Sequence, residues 1–281
     1  MTTGQLATLA CLLEAMASKP GNVHRGADFE DLTFADLALS AVAIGPAFDK
    51  AESYGVGMLA VSAITETRQV VKTNSNLGMV LLMAPLAVVS SWDDLARGVR
   101  DVLQRLTADD AAAVYLAIRK ANPGGMGKVE QADVHDAPPP SLLDAMRLAA
   151  DRDLVARQYA NGFHEVLNKV VPSLEAGIAR RWALNDVIIR TYLELMRDEP
   201  DSLIARKCGK AVAEQAAMHA GQVLRAGEPG DENYNEALAD LDFWLRADGH
   251  RRNPGTTADL VAAGLFAALR EHKIEWPMKF Y

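Results

Sequence analysis

A chain of 281 residues, 49% of them hydrophobic, can bury a substantial core as one large domain or two small ones. Its net charge of −8 and pI near 5.3 argue against nucleic acid or an acidic membrane surface as the main partner, while leaving room for a polyanionic small molecule in a local pocket. Aromatics at only 6%, beside abundant Ala, Leu and Val, favour close-packed helices over a β-sandwich; neither a secretory signal nor an apolar stretch long enough to span a bilayer is visible, so a cytoplasmic protein is expected.

Leu6, Leu9, Leu13 and Met16 recur at helical spacing, and Pro20-Gly21 stops that first helix. Thr33 can cap a second helix to about Ala47, Gly55 to Lys72 reads as a third, and Ser75 can cap a fourth towards Ser90. Two charged amphipathic helices follow, Trp92–Leu106 and Asp109–Asn122. The stretch 122–140, with PGGMGKVEQADVHDAPPP, is too long for an idle connection and reads as a lid or binding segment. Helices resume at Leu142–Asn168, Leu174–Arg181, Leu184–Arg197, Ser202–Ala226, Tyr234–Arg246 and Thr257–His272. No alternating strand pattern separates them. The expected architecture over residues 1–281 is therefore a single all-α domain, with motif-bearing helix ends around one central cleft. Cys11 and Cys208 sit in helical, apolar contexts and read as free thiols in a reducing compartment.

Four polar segments marked by glycine or proline fall at helix ends. In KPGNVHRGADFED, Lys19, Asn22 and His24 can serve an anion, while Asp28, with Glu14 from the preceding helix, could hold a metal. From Glu66 to Gly78, Glu66 and Thr73 stand seven apart on one helix face, and Arg68 and Lys72 pair at i, i+4 on another. Thr73, Asn74, Ser75 and Asn76 then run consecutively into a helix start, where free N–H groups attract phosphate. An N-cap and a surface ion pair explain only Ser75 and the charges. In PGGMGKVEQADVHD, Gly124, Gly125 and Gly127 would let backbone amides approach an anion that Lys128 neutralises, although the segment is not a Walker A loop. Asp133, His135 and Asp136 make a weak metal cluster. In HRRNPGTTADLVAAG, Pro254-Gly255 sets a turn before Thr256 and Asp259, a capping-box-like pair whose role capping alone could explain. No Ser-His-Asp, CxxC, HExxH or GxGxxG pattern appears.

In this order, the segments resemble the triphosphoribosyl-dephospho-CoA synthase family. ACLLEAMASKPGNVHR is similar to its glutamate helix and KPG turn, and ETRQVVKTNSNLG to its Thr-x-x-Asn-Thr-His-Lys-Gly segment. DSLIARKCG is similar to its Asp-Ser-Asn…Arg…Gly element, which places Arg206 among the anion contacts, and NPGTTADLVAAGLF to its Ser-Pro-Gly-Gly-Ser-Ala-Asp-Leu-Leu-Ala signature. Asn76, Leu77 and Leu203 depart from the pattern, and the PGGMGKVEQADV loop looks like that of a divergent archaeal-type branch.

The resemblance implies transfer of a (tri)phosphoribosyl group from ATP, or another ribosyl phosphate donor, to an alcohol such as dephospho-CoA or a coenzyme precursor, with Mg²⁺ and release of adenine. An oxocarbenium-like transition state wants a carboxylate near C1′ or near the attacking hydroxyl. Glu66 and Asp259 are the expected catalytic groups. Donor and phosphate contacts are expected from Lys19, Asn22, His24, Arg68, Lys72, Thr73 to Asn76, Gly125, Lys128, Arg206, Gly255 and Thr256, and metal contacts from Glu14 and Asp28. Related α-ribosyl phosphate transfer in tetrahydromethanopterin-type coenzyme assembly, an ADP-ribosyl-type glycoside hydrolase and a helical scaffold are the alternatives. Neither nucleic acid nor a membrane is an expected partner, and homo-oligomerisation is left open.

Overall fold

The computed structural model describes residues 1–90, 94–124 and 133–281. Among these residues stand fourteen α-helices and no strand, in one all-α domain. The first six are α1 (Thr3–Met16), α2 (Phe34–Phe48), α3 (Ala51–Val70), α4 (Leu77–Val88), α5 (Leu95–Gln104) and α6 (Ala108–Ala121). After the long connection come α7 (Leu142–Ala149) and α8 (Leu154–Asn161), then a π-helical turn, Val166–Val170, that runs into α9 (Val171–Ala179). The set closes with α10 (Leu184–Asp198), α11 (Ser202–Cys208), α12 (Lys210–Ala226), α13 (Glu232–Arg246) and α14 (Gly255–Arg270).

Local chemistry sets many of these boundaries. Thr33 with Asp36 and Thr107 with Asp110 form reciprocal capping boxes, each satisfying two orphan backbone donors. Asp110 does more: its carboxylate also accepts from the Gly57 N–H at 2.8 Å, tying the start of α6 to α3. Gly55, at φ 66° and ψ 179°, breaks α3 near its beginning in a conformation that suits only glycine. Two helices expected to run unbroken are in fact divided. Asp153 caps a new helix after Ala149, and Gly162 (φ 72°) ends it, so Leu142–Asn168 is three pieces. Gly209 (φ 92°) likewise separates α11 from α12. The expected helix from Trp92 is described only from Leu95, since residues 91–93 lie outside the described residues.

The core is organised around α4 and α14. Every residue of α14 from Leu260 to Leu269 is buried, as is nearly all of α4. α14 packs on α1, α4, α9 and α10, and α4 packs on α3, α5 and α14. Helices apolar all round belong in such interiors. Asp201 locks the arrangement. One carboxylate oxygen accepts from the N–H groups of Leu203 and Ile204 at the start of α11; the other accepts from the N–H and hydroxyl of Thr257 in α14. No described helix is long and apolar enough to cross a membrane.

Candidate functional site

Both central helices begin at the wall of one cavity of about 730 Å³. Asn76, Leu77 and Gly78 bring the start of α4 to it, and Gly255, Thr256 and Asp259 the start of α14. Two helix N-termini therefore point their free N–H groups and positive dipole ends into the same space. Glu14 enters from α1, Asn22 from the KPG turn, and Arg206 from α11. The expectation that the separate segments converge on one cleft holds for these residues.

Asp259 is the chemically unusual group. It does not cap α14, whose N-cap is Pro254 and which has no side-chain cap; it sits inside the helix and accepts no hydrogen bond from the described residues. Its carboxylate lies against Gly78, where any Cβ would collide with Oδ2. Enclosure raises its pKa well above the ordinary carboxylate value, and the negative charges of Glu14, Asp201 and Asp153 push it further, with Arg206 opposing. Thr256, paired with it in the capping reading, instead accepts a hydrogen bond from the Ser202 hydroxyl at 3.1 Å.

Glu14 is held differently. Its Oε1 pairs with Lys19 Nζ at 2.9 Å, and both side chains are shut from solvent, at 3% and 0% exposure. The same ammonium donates to the backbone carbonyls of Glu14 and Ala17. Burial raises the Glu14 carboxyl and Lys19 pulls it back down. Lys19, expected to meet phosphate, is thus spent below the cavity wall. The turn around it is equally committed: Asn22 Nδ2 donates to the Tyr192 hydroxyl at 2.8 Å, which donates to the Pro20 carbonyl at 3.0 Å, and Arg246 donates to the Asn22 carbonyl at 2.6 Å.

The run Thr73 to Asn76 does line the cavity, yet much of its hydrogen bonding is internal. Ser75 is not the cap of α4. Its hydroxyl lies 2.6 Å from that of Ser40, whose own proton goes to the Asp36 carbonyl. Asn74 Oδ1 accepts from the Leu77 N–H at 3.2 Å and so serves the helix start. Asn76 Nδ2 donates to Thr67 at 3.0 Å, and its Oδ1 is buried with no hydrogen-bond partner among the described residues.

Other expected residues lie elsewhere. Glu66 is exposed, bonded to Gln69, and outside the cavity lining; because α3 ends at Val70, Thr73 is off the helix and shares no face with it. Arg68 donates to the Lys72 carbonyl and closes the end of α3, and Lys72 is exposed away from the cavity. Asp28 accepts from the Phe34 N–H at 2.7 Å at the surface, so it is not joined to Glu14. The His24 ring accepts from the Gly26 N–H, and burial with nearby Arg246 lowers its pKa. Gly125 and Lys128 lie outside the described residues, though Asn122 to Gly124 and Asp133 reach the cavity on either side of them.

Sequence reasoning passed over Arg152, Asp153 and Lys207; the pair Asp31–His250 (3.4 Å) also lines the cavity. The signal for the first two was the DRD triplet: an Asp able to N-cap, inside a run read as one helix. Asp153 caps α8 and also pairs with Arg206, which turns a cation towards the cavity mouth.

Among the described residues, no group of three or more His, Cys, Asp or Glu could hold a metal by itself. Two of the carboxylates at the cavity, those of Glu14 and Asp259, nevertheless suit a hard cation that arrives with phosphate ligands of its own.

Residues 1–278 match the family described as CitG, ATP:dephospho-CoA triphosphoribosyl transferase. A crystal structure of a candidate triphosphoribosyl-dephospho-CoA synthase from Archaeoglobus fulgidus is similar at 27% identity and a TM-score of 0.63, over 83% of this chain and 97% of that one. No curated protein sequence matches.

Proposed function

Because the chain belongs to the ATP:dephospho-CoA triphosphoribosyl transferase family, we propose that its cavity moves a (tri)phosphoribosyl group from ATP to an alcohol acceptor. The observation that carries this reading is Asp259, a carboxylate with no hydrogen-bond partner among the described residues, set between two helix N-termini at the cavity. In the reaction, the acceptor oxygen bonds to C1′, the C1′–N9 bond breaks, and the acceptor's proton passes to the departing adenine. Asp259 is the general base that takes that proton, since a raised pKa brings a carboxylate nearer to neutral pH, where it accepts protons best. Glu14 is kept in place by Lys19. Arg206, with Arg152 and Lys207, neutralises phosphate together with the amides at the starts of α4 and α14.

Magnesium arriving on the triphosphate would be held by Glu14 and phosphate oxygens, and would supply charge neutralisation. Enclosure by α1, α4 and α14 keeps water from C1′, without which ATP would simply be hydrolysed there.

A place in a divergent archaeal-type branch rests on the PGGMGKVEQADV loop. Asn76, Leu77 and Leu203, the departures from the family pattern, all line the cavity, which favours an acceptor other than dephospho-CoA. The test is chromatographic: adenine release from ATP and Mg²⁺, with and without a panel of alcohol acceptors. Acceptor-dependent adenine, absent in Asp259→Asn, is expected. Acceptor-independent release would mark a hydrolase, and no release with any acceptor would leave a scaffold.

A further inference from the structure

We infer that Thr256 grips a phosphoryl oxygen of the ribosyl phosphate substrate through its hydroxyl and its amide, and that Ser202 is the positioning residue that aims the hydroxyl. This rests on the ATP assignment above and deepens it. Three helix starts meet around these side chains: Leu154 opens α8, Ser202 opens α11 and Thr256 stands second in α14. The Leu154 N–H donates to Ser202 Oγ at 3.2 Å, and the Ser202 hydroxyl donates to Thr256 Oγ1 at 3.1 Å. Beside them Asp201, bonded to the N–H and hydroxyl of Thr257, ties α11 to α14.

These bonds run in one direction. A hydroxyl carries a single proton. Were Thr256 to donate to Ser202, the proton of Ser202, a side chain 4% exposed, would be buried with no acceptor among the described residues. The Ser202 proton therefore goes to Thr256, and the Thr256 proton has to go elsewhere. No described residue accepts it, although Thr256 is only 3% exposed, and its open side is the cavity it lines. The amide of the same residue is in the same position. At the start of α14 the Gly255 N–H bonds the Asn253 carbonyl, the Thr257 N–H bonds Asp201 and the Ala258 N–H bonds the Pro254 carbonyl, while the Thr256 N–H has no acceptor among the described residues. Thr256 thus offers two donors at the positive end of a helix. Arg206, one turn after Ser202 on the same face of α11, lines the cavity as well. Paired donors, a helix dipole and a guanidinium suit an oxygen that carries negative charge.

Calorimetry of the full chain with Mg²⁺ tests this with ATP, tripolyphosphate and adenosine. Thr256→Val keeps the shape and the amide but removes the hydroxyl. It is expected to weaken ATP and tripolyphosphate by about tenfold to a hundredfold, the range of one hydrogen bond to a charged group, and to leave adenosine unchanged. Thr256→Ser, which retains both donors, should bind all three as the wild type does. Ser202→Ala should weaken the two phosphates by at least about threefold, and Ser202→Ala/Thr256→Val no further than Thr256→Val alone, because Ser202 acts only through that hydroxyl. Losses that add in the double variant would make Ser202 merely structural. Equal tripolyphosphate affinity in Thr256→Val and Thr256→Ser, or a loss confined to adenosine, would remove Thr256 from the phosphate. Either result overturns the inference. Should Ser202→Ala fail to fold, Ser202→Cys, close in size with a weaker donor, takes its place in the cycle. A wild-type chain that binds tripolyphosphate but not ATP would remove the ATP assignment and leave the Thr256 contact standing, whereas one that binds neither removes both.

Discussion

Lys19 Nζ meets Glu14 Oε1 at 2.9 Å beneath the cavity, and neither side chain reaches bulk solvent. Removing one partner strands a charge in the interior, which costs about 3–5 kcal/mol, whereas replacing both by apolar groups can be nearly neutral. Lys19→Met should lower the unfolding free energy from urea titration by that amount, and Glu14→Leu/Lys19→Met should recover most of the loss without recovering turnover. A full-stability Lys19→Met protein with weakened ATP binding would return Lys19 to the phosphate contacts.

Asp259 links function to pH and to stability with opposite signs. Its folded pKa lies above the unfolded value, so the folded state binds the extra proton and stability falls as pH rises from about 4 through the folded pKa. In metal-free, nucleotide-free protein with EDTA, Asp259→Asn should flatten this fall and raise the melting temperature at pH 8. The same variant should lose about 10²–10⁴ of the turnover rate. Wild-type kcat should rise with pH across the window where stability declines.

Gly78 has no room for a side chain because Asp259 occupies the space a Cβ would take. Gly78→Ala should displace that carboxylate and cost about 1–3 kcal/mol by overpacking. Its signature is a fall in kcat at nearly unchanged ATP affinity, read by steady-state kinetics beside calorimetry.

Asp201 accepts four hydrogen bonds from two helix starts. Asp201→Ala removes an N-cap and leaves buried donors on Thr257 unsatisfied, each effect worth about 1–2 kcal/mol. A loss of about 3 kcal/mol in denaturant titration is expected.

Glu66 is exposed on α3 and away from the cavity. Glu66→Gln should keep both the melting temperature and turnover within about twofold, as surface substitutions do. A large loss of turnover would require α3 to present a different face in the working enzyme.

What the sequence by itself determined is what nearest neighbours decide. Thr33 with Asp36 and Thr107 with Asp110 close capping boxes within one turn, so the starts of α2 and α6 are legible without any tertiary partner. The all-round apolar runs in α4 and α14 likewise announce interior helices. The ordered motifs carried the family, and the motif ends at Asn76, Arg206 and Asp259 do meet at one cavity. Which carboxylate faces that cavity was decided only by packing. Glu14 and Glu66 both sit in amphipathic contexts, but α1 is pressed on α14 while α3 turns Glu66 outward. Lys19 was read as a phosphate ligand because a lysine beside a glycine turn is ordinarily free; its burial beside Glu14 depends on the turn being locked by Tyr192 and Arg246, 170 and 224 residues away in the chain. Asp259 resembled a cap because caps are local, and its enclosure against Gly78 of α4 is not. Hydrogen bonds within a turn follow from sequence spacing, whereas burial, charge proximity and the pKa shifts they cause arise only when distant helices exclude the same water.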